Sequence, residues 1–377
     1  MKNGNGEGAM NRILFPDYEN CGMNVVASAL NYFGVEDSHA RHPVVEKLLE
    51  TKKYKNIVLM LFDGMGMDLL EHALPENSFL RSHLLCEMSA AYPSTTACAT
   101  TSIGTAMPPL EHSWLGWDLY FKEIEKTVAV LINIDEETGE PAASYRVGDR
   151  YAPLDTVYHR LNEAGAAGDE ISAFGTVKVD SLTAMREAVL NLCADEKRRY
   201  LYCYWNDPDH TMHSKGCCSP EVFEIVKQLD AFSEQLAAAA GEDTLILITA
   251  DHGLIDAEWL YTEDHPEIEN MLLHMPSVEP RAAAFYVKPE YMEAFPDAFR
   301  AAFGEEFILL TADEFIRQGY LGTGKEHPKV RDFTGDYMAL ATGRKCIGAK
   351  RREHELIGMH AGLTGMEMRV PLIAARV

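Results

Sequence analysis

Short apolar runs alternate with amphipathic stretches along the chain, and no other feature limits its fold as strongly. Residues 219–241 have a helical pattern of apolar positions; they begin with Ser219 and Pro220 and end on a glycine, as a capped helix does. Apolar strands that are separated by helices belong to mostly parallel sheets covered on both faces. The sequence therefore predicts an α/β fold with a mostly parallel central sheet and helices on both faces. The apolar runs are NIVLMLF at 56–62, EISAF at 170–174, RYLYCYW at 199–205, TLILIT at 244–249 and RAAAFYV at 281–287.

Two regions depart from this alternation. Residues 119–148 have the pattern of strands joined by turns, which predicts a hairpin at the edge of the sheet. Residues from about 276 to 345 carry denser and less regular signals, which predict a small insert or cap. Because no repeat or low-complexity linker divides the sequence, we expect residues 1–377 to form a single domain with that insert.

The balance of charge limits the partners of the chain. Its 377 residues include 34 basic and 58 acidic residues, which gives a formal net charge of −24. Such a surface repels nucleic-acid polymers and anionic membranes, so we expect neither as a partner. An anionic substrate would need a bound cation to offset this field.

The sequence also predicts a cellular compartment. The amino-terminal stretch up to Gly22 lacks an apolar core followed by small residues, and no apolar run reaches the length of a membrane span. The eight cysteines include no CxxC pair and lie in apolar segments, as buried reduced thiols do. We therefore expect a cytoplasmic protein.

Acidic residues follow three of the predicted strands. Asp63 comes directly after NIVLMLF, and Asp251 with His252 comes after TLILIT. RYLYCYW leads into NDPDHTMH, in which His213 follows Asp209 by one helical turn. Each acid alone is compatible with a turn residue or a helix N-cap. Because the carboxyl ends of parallel strands share one edge of a sheet, we expect the three carboxylates to converge, and cations must then separate them.

Mixed carboxylate and imidazole ligands favour zinc. Asp209 and His213 need a third residue to complete a metal site, and His360 in GMHAG is the candidate. The alternative is that His360 is an exposed loop histidine. His210 is a possible metal ligand in place of His213, ranked below it. The two predicted sets are Asp63, Asp251 and His252 for one ion, and Asp209, His213 and His360 for the other.

The stretch YPSTTACATTSIGTA at 92–106 combines a proline, clustered hydroxyls and small residues. A hydroxyl at a helix N-terminus lies beside free backbone N–H groups that bind phosphate, and a base or metal can activate it as a nucleophile. An N-cap before a helix packed tightly on the sheet is the alternative. With strand-end acids nearby, we interpret the stretch as carrying a nucleophile, with Ser94, Thr95 and Thr96 as candidates.

Taken in order from about Asn56 to Val370, these segments resemble the alkaline phosphatase superfamily, and more closely its type I phosphodiesterase/nucleotide pyrophosphatase branch. The motifs are LFDGMG, YPSTTA, NDPDHTMHSKG, TADHG and GMHAG. The resemblance implies an alkaline phosphatase-like catalytic domain with two divalent metal ions, expected to be zinc. It also implies that Thr96, three residues after Pro93, is the nucleophile that forms a phosphothreonine, and that its oxygen is a ligand of the first ion.

One segment departs from the family pattern. Nucleotide pyrophosphatases carry an asparagine downstream of the nucleophile that donates to a phosphate oxygen, whereas EHSWLGWDLY contains Trp114, Trp117 and Asp118 but no asparagine. Trp117 either stacks on an aromatic leaving group or packs in the core. This departure leaves both diester and monoester substrates open.

The resemblance implies a two-metal hydrolase that cleaves a phosphodiester or pyrophosphate bond of a small soluble phosphorylated substrate. A phosphomonoesterase, a phosphonate hydrolase or a phosphoryl transferase using the same site is the alternative. A non-catalytic, metal-binding interaction module is an alternative of another class.

Overall fold

The computed structural model describes residues 12–377. Residues 1–11, part of the stretch on which the prediction about a secretory leader depends, lie outside the described residues. The strands are β1 Asn56–Phe62, β2 Leu84–Ser89, β3 Asp118–Phe121, β4 Lys126–Ala129, β5 Ile134–Asp135, β6 Ala167–Ser172, β7 Val177–Lys178, β8 Arg199–Trp205, β9 Thr244–Thr249, β10 Ile255–Asp256, β11 Glu258–Tyr261, β12 Leu272–Glu279, β13 Ala282–Val287, β14 Phe307–Thr311, β15 Tyr337–Ala341, β16 Lys345–Gly348, β17 Gly358–Met359 and β18 Arg369–Arg376. The α-helices are α1 Gly22–Tyr32, α2 Pro43–Thr51, α3 Met67–Ala73, α4 Phe79–Ser82, α5 Thr96–Thr105, α6 Pro109–His112, α7 Val147–Tyr151, α8 Val157–Glu163, α9 Leu182–Ala194, α10 Asp209–Lys215, α11 Pro220–Ala239, α12 Pro266–Glu269, α13 Phe295–Phe303, α14 Ala312–Arg317, α15 Val330–Thr334 and α16 Gly365–Met368.

The central sheet has the strand order β2-β18-β9-β1-β8-β6-β7. The strands from β9 to β7 are parallel, and β18 runs antiparallel between β9 and β2. Every residue of β1 is buried because helices cover the sheet, and this explains why NIVLMLF carries no polar alternation. The predicted α/β fold with a mostly parallel sheet is confirmed.

A second sheet, with the order β14-β15-β13-β12-β3-β4-β5, is antiparallel. The predicted hairpin forms as β3 and β4, but its position at the edge of the central sheet was wrong. β3 pairs instead with β12 through Asp118 and Val278, a long-range pairing that local patterns do not encode. The same sheet takes in β12 to β15, from the region of about 276 to 345 where the sequence predicts an insert or cap.

One cluster of buried side chains extends from the central sheet into the second sheet. It includes Leu59 and Ile248 of the central sheet and Leu119 and Met338 of the second. Helix α11 begins where predicted, because the Ser219 hydroxyl accepts the N–H of Val222. It ends at Ala239, just before the glycine that was expected to stop it.

The eight cysteines are all free thiols. In the part of the chain that the structure describes, no helix combines the length and apolar character needed to cross a membrane.

Candidate metal centre and active site

The loops after β1, β8 and β9 meet at one edge of the central sheet, because β1 lies between the other two strands and runs parallel to both. Backbone hydrogen bonds connect them: Asp63 N–H donates to the Trp205 carbonyl at 2.9 Å, and Asp209 N–H donates to the Asp63 carbonyl at 3.0 Å. Gly64 N–H donates to Asp251 Oδ1 at 3.1 Å. The sheet therefore fixes the three acids relative to one another before any ligand binds.

Two groups of side chains bring their ligand atoms within 4.8 Å of one another. One is the predicted second set, Asp209, His213 and His360. The other joins Asp63 and His252 of the predicted first set to Asp209. Asp209, which the sequence assigned to a single ion, thus lies within reach of both groups.

Asp251, the remaining predicted ligand, is buried beside the same residues. Its Oδ1 accepts the N–H of His252 at 3.0 Å as well as that of Gly64. Its Oδ2 lies 3.6 Å from His252 Nε2 and accepts no hydrogen bond from residues 12–377. One oxygen thus holds the loops together while the other faces the site.

Two of the histidines are oriented by backbone carbonyls. His213 Nδ1 lies 2.7 Å from the Gly358 carbonyl, and His252 Nδ1 lies 3.2 Å from the Gly253 carbonyl. In each ring the carbonyl accepts the Nδ1 proton, which turns Nε2 toward the carboxylates. His210, the lower-ranked substitute, is exposed to solvent.

The electrostatics of the site are those of crowded, buried acids. Burial and the charges of Asp251 and Asp209 hold the pKa of Asp63 well above its ordinary value. Burial also raises the pKa of Asp251. Burial opposes ionisation of Asp209 too, but His213, His360 and His252 outweigh it and lower its pKa.

The same crowding shifts the pKa values of two histidines in opposite directions. Burial lowers the pKa of His213, but the negative charge and hydrogen bond of Asp209 raise it by more, and the resulting pKa is about 8. Burial and the neighbouring His252 push the pKa of His360 well below its ordinary value. Raised pKa values at Asp63 and Asp251 and a lowered one at His360 are the shifts that crowding of buried ligand side chains produces.

These residues fit a divalent metal ion. Asp209 Oδ1, Asp251 Oδ2 and His360 Nδ1 are buried and have no hydrogen-bond partner among the described residues. Buried polar atoms without partners are costly, and a bound cation satisfies such oxygens and nitrogens. Oxygen and imidazole donors together match borderline divalent ions.

Thr96 is the first residue of α5 and is only half-buried. Its Oγ1 lies 3.4 Å from Asp63 Oδ2 and 3.2 Å from His252 Nε2. The other two candidate hydroxyls are engaged elsewhere: Ser94 Oγ donates to the Gly362 carbonyl at 2.8 Å, and Thr95 Oγ1 donates to Glu279 Oε1 at 2.6 Å. Of the three, Thr96 alone turns its hydroxyl toward the candidate ligands.

The sequence of residues 57–360 matches the family model described as type I phosphodiesterase/nucleotide pyrophosphatase. The chain belongs to this family. A sequence comparison with curated proteins finds no match.

Solved structures of other proteins share the fold of this phosphodiesterase-family chain. Murine ectonucleotide pyrophosphatase/phosphodiesterase 5 is 15% identical, with a TM-score of 0.65 over 84% of this chain and 87% of that one. The human protein of the same name gives the same identity, TM-score and coverage. An inactive threonine-to-alanine variant of the murine protein in complex with AMP is 14% identical, with a TM-score of 0.66 over 85% of this chain and 87% of that one.

Two residues at this phosphodiesterase-family site were missed by sequence reasoning. Tyr204, next to last in β8, donates its hydroxyl to Asp63 Oδ2. The parallel register pairs Tyr204 with Leu61, so its proximity to Asp63 was available from the strand pairing that the sequence implied. Glu279 reaches the loop before α5 from β12, and nothing in the local sequence marks it. Burial raises the pKa of its carboxyl to about 6.

The segment that lacks the asparagine passes along the same site. Trp114 is buried, and its indole N–H donates to the Ala152 carbonyl at 2.9 Å, so it is a core residue. Trp117 is 37% exposed, and its backbone N–H donates to Glu279 Oε1 at 2.8 Å. Over a third of Trp117 thus faces solvent, so this residue is not enclosed in the core as Trp114 is.

Proposed function

We propose that this family member is a two-metal hydrolase that cleaves a phosphodiester or pyrophosphate bond of a small soluble substrate, with Thr96 as the nucleophile. The observation that carries the proposal is the position of Thr96 Oγ1, at the first residue of a helix and 3.2 Å from His252 Nε2. A hydroxyl in this place meets both requirements of phosphoryl transfer, an activating environment and a site for the phosphate oxygens.

The proposed metals are two zinc ions. When bound, they supply Lewis-acid stabilisation of the charge on the transferring phosphoryl group. The first would be held by Asp63, Asp251 and His252 together with the Thr96 oxygen. The second would be held by Asp209, His213 and His360. Support comes from the two convergent groups of ligand atoms and from the buried atoms of Asp209, Asp251 and His360 that have no other partner.

The side chains of the protein position the reacting atoms. The Thr96 hydroxyl donates toward the Asp63 carboxylate, so its oxygen lone pairs are free to attack phosphorus. A bond forms between Oγ1 and phosphorus while the bond from phosphorus to the leaving oxygen breaks. Backbone N–H groups in the first turn of α5 are placed to receive the phosphate oxygens. The Thr96 proton is released to solvent, and the leaving oxygen takes up a proton. Water then cleaves the bond between phosphorus and Oγ1, which releases phosphate or a phosphomonoester and returns a proton to the Thr96 oxygen.

The proposed substrate is a small molecule of the nucleotide type. The AMP complex of the murine relative supports a nucleoside monophosphate unit, which is what cleavage of a dinucleotide or pyrophosphate bond would leave. The net charge of −24 supports a small substrate over a nucleic-acid polymer or a membrane surface. The continuous buried core supports a single catalytic domain, and the free thiols support a cytoplasmic location.

The missing asparagine favours a second candidate, a phosphomonoesterase, phosphonate hydrolase or transferase that uses the same Thr96. Trp117 and Asp118 occupy the segment in which a diesterase would present an amide donor to a phosphate oxygen. A non-catalytic metal-binding module would need neither a half-exposed Thr96 hydroxyl nor its contact with His252.

The test compares hydrolysis of bis-p-nitrophenyl phosphate and p-nitrophenyl phosphate by the zinc-loaded protein. We expect faster diester cleavage that falls by about a thousandfold or more in Thr96→Ala and Asp251→Ala. Thr183→Ala, at an exposed position of α9, and Asp297→Ala, at an exposed position of α13, are the matched controls and should retain full activity. Faster monoester cleavage would favour the second candidate, and activity that survives Thr96→Ala would refute the nucleophile.

A further inference from the structure

The carboxylate of Glu279 is buried, with 7% of the residue exposed, and forms no ion pair in the described part of the chain. Its Oε1 accepts the Thr95 hydroxyl at 2.6 Å and the Trp117 backbone N–H at 2.8 Å. Both donors are neutral, and they come from two segments far apart in sequence. Burying a carboxylate that has only neutral donors costs free energy of folding, so a contribution to stability does not explain the presence of Glu279 here.

The backbone next to Glu279 is strained at the point where these two contacts are made. Val278 has φ of 77°, a left-handed conformation that a β-branched residue adopts at a substantial cost. A Cβ at Gly116 would lie 2.5 Å from the Val278 carbonyl oxygen, so only glycine permits the segment before Trp117 to approach β12 so closely. Strained residues and close backbone approaches persist where the surrounding structure enforces them, and they cluster at functional sites.

Thr95 occupies the N-cap position of α5 but does not cap it. A threonine at this position ordinarily accepts a backbone N–H of the first turn with its side-chain oxygen. Here no such bond forms, because the hydroxyl is turned away to Glu279. The free N–H groups of the first turn therefore remain available beside Thr96.

We propose that Glu279 is a positioning residue, which keeps the N-terminus of α5 open to the phosphate group by drawing the Thr95 hydroxyl out of its capping position. The inference rests on the proposed function in that it assigns the phosphate to the N-terminus of this helix. Through the Trp117 N–H, the same carboxylate also holds the segment that carries Trp117 beside the loop of Thr95. Without Glu279, the Thr95 hydroxyl would cap α5 and compete with phosphate for its N–H groups.

The experiment measures binding of inorganic phosphate to the zinc-loaded full-length protein by titration calorimetry, so that it does not depend on turnover. We expect Glu279→Ala to weaken phosphate binding by about tenfold to a hundredfold, the scale of a small misplacement at such a site. Glu279→Gln should bind nearly as well as the parent, because its amide oxygen accepts the same two donors. Adding Thr95→Val to Glu279→Ala should restore much of the affinity, since valine has no hydroxyl with which to cap the helix.

This recovery separates positioning from a merely structural role, which would make the two losses additive. Asp230→Ala is the matched control, because it removes a partly buried carboxylate that also accepts two neutral donors, the backbone N–H groups of Phe79 and Leu80. It lies away from the site and should leave phosphate binding unchanged. If Glu279→Ala does not fold, Glu279→Met, which fills a similar volume, replaces it.

Unchanged phosphate affinity in Glu279→Ala, or a double variant as weak as the single one, would overturn the inference. Hydrolysis of p-nitrophenyl esters by the same preparations is measured alongside. A parent protein that binds phosphate with the expected pattern across the variants but cleaves neither ester would count against the proposed function and leave the role of Glu279 supported.

Discussion

Arg281 and Glu367 form a fully buried ion pair behind the loop that carries His360. Arg281 Nε lies 2.6 Å and Nη2 lies 2.8 Å from the two carboxylate oxygens of Glu367. The guanidinium also donates to the carbonyls of Lys345 and Gly343, each at 2.8 Å. We predict that Arg281→Met strongly destabilises the protein although methionine is apolar and nearly as long.

The magnitude follows from what the substitution leaves behind. Glu367 retains the N–H of Gly362 at 2.7 Å and the hydroxyl of Thr364 at 2.7 Å, but its charge loses the only cation that pairs with it in residues 12–377. Breaking a buried pair in this way costs about 3–5 kcal/mol. Each of the two carbonyls that lose a donor adds about 1 kcal/mol. The hydrogen bonds that Glu367 keeps hold the cost of its unpaired charge near the low end of that range, so we expect a loss of about 5 kcal/mol in the free energy of unfolding.

The assay is urea unfolding followed by circular dichroism, with the shift of the midpoint converted through the slope of the transition. Arg300→Met is the matched control, because Arg300 is 56% exposed and pairs with Asp297 on the surface, where such pairs contribute about 0–1 kcal/mol. Replacing both partners, in Arg281→Met/Glu367→Met, should cost less than Arg281→Met alone, since no unpaired charge remains.

Two results would refute this reasoning. A loss in Arg281→Met no larger than that in Arg300→Met would show that the buried carboxylate finds another partner or is readily protonated. A double variant that loses the sum of both single variants would show that the two side chains contribute independently rather than as a pair.

Two further predictions concern a close backbone approach and a buried histidine. A Cβ at Gly253 would lie 2.1 Å from the Met366 carbonyl oxygen, so Gly253→Ala should displace His252 and weaken zinc binding, measured by competition with a chelator. Unchanged zinc affinity in this variant would contradict the expectation. Gly104→Ala, in open space within α5, should instead stabilise the protein by about 0.5–1 kcal/mol. Burial and the nearby His327 lower the pKa of His112 to about 3, below its unfolded value of about 6.5. The unfolded chain therefore binds more protons between these values, and stability present above pH 6.5 is lost as the pH falls, by about 2–3 kcal/mol at pH 4.5. The urea midpoint of the parent relative to that of His112→Gln should drop between pH 7.5 and pH 4.5, and a difference independent of pH would contradict it.

The central sheet and most of the candidate ligands could be predicted from the sequence because the relevant signals are local. An apolar run followed by an acid places that acid at the carboxyl end of a strand, and parallel pairing then brings Asp63, Asp209 and Asp251 to one edge. The membership of Asp209 in both ligand groups could not be predicted in this way, since it depends on the distances between side-chain atoms of α10 and of the loop after β1. A sequence pattern predicts that a residue lies at one edge of the sheet, but it does not give the distance between two ligand atoms.

The contribution of the second sheet was beyond prediction for a different reason. Glu279 lies 184 residues from Thr95 and 162 from Trp117, and both contacts require β12 to pair with β3 in one register. A slip by a single residue would turn every side chain of a strand to its other face, and the alternation of β12 is already broken at its end, where Ser277, Val278 and Glu279 are all buried. The conformation of Val278 decides which way Glu279 points, and no propensity predicts a left-handed valine. Sequence patterns therefore indicate the proposed metal ligands and the proposed nucleophile, whereas the direction of the proposed positioning residue Glu279 is set by backbone strain that only the folded chain reveals.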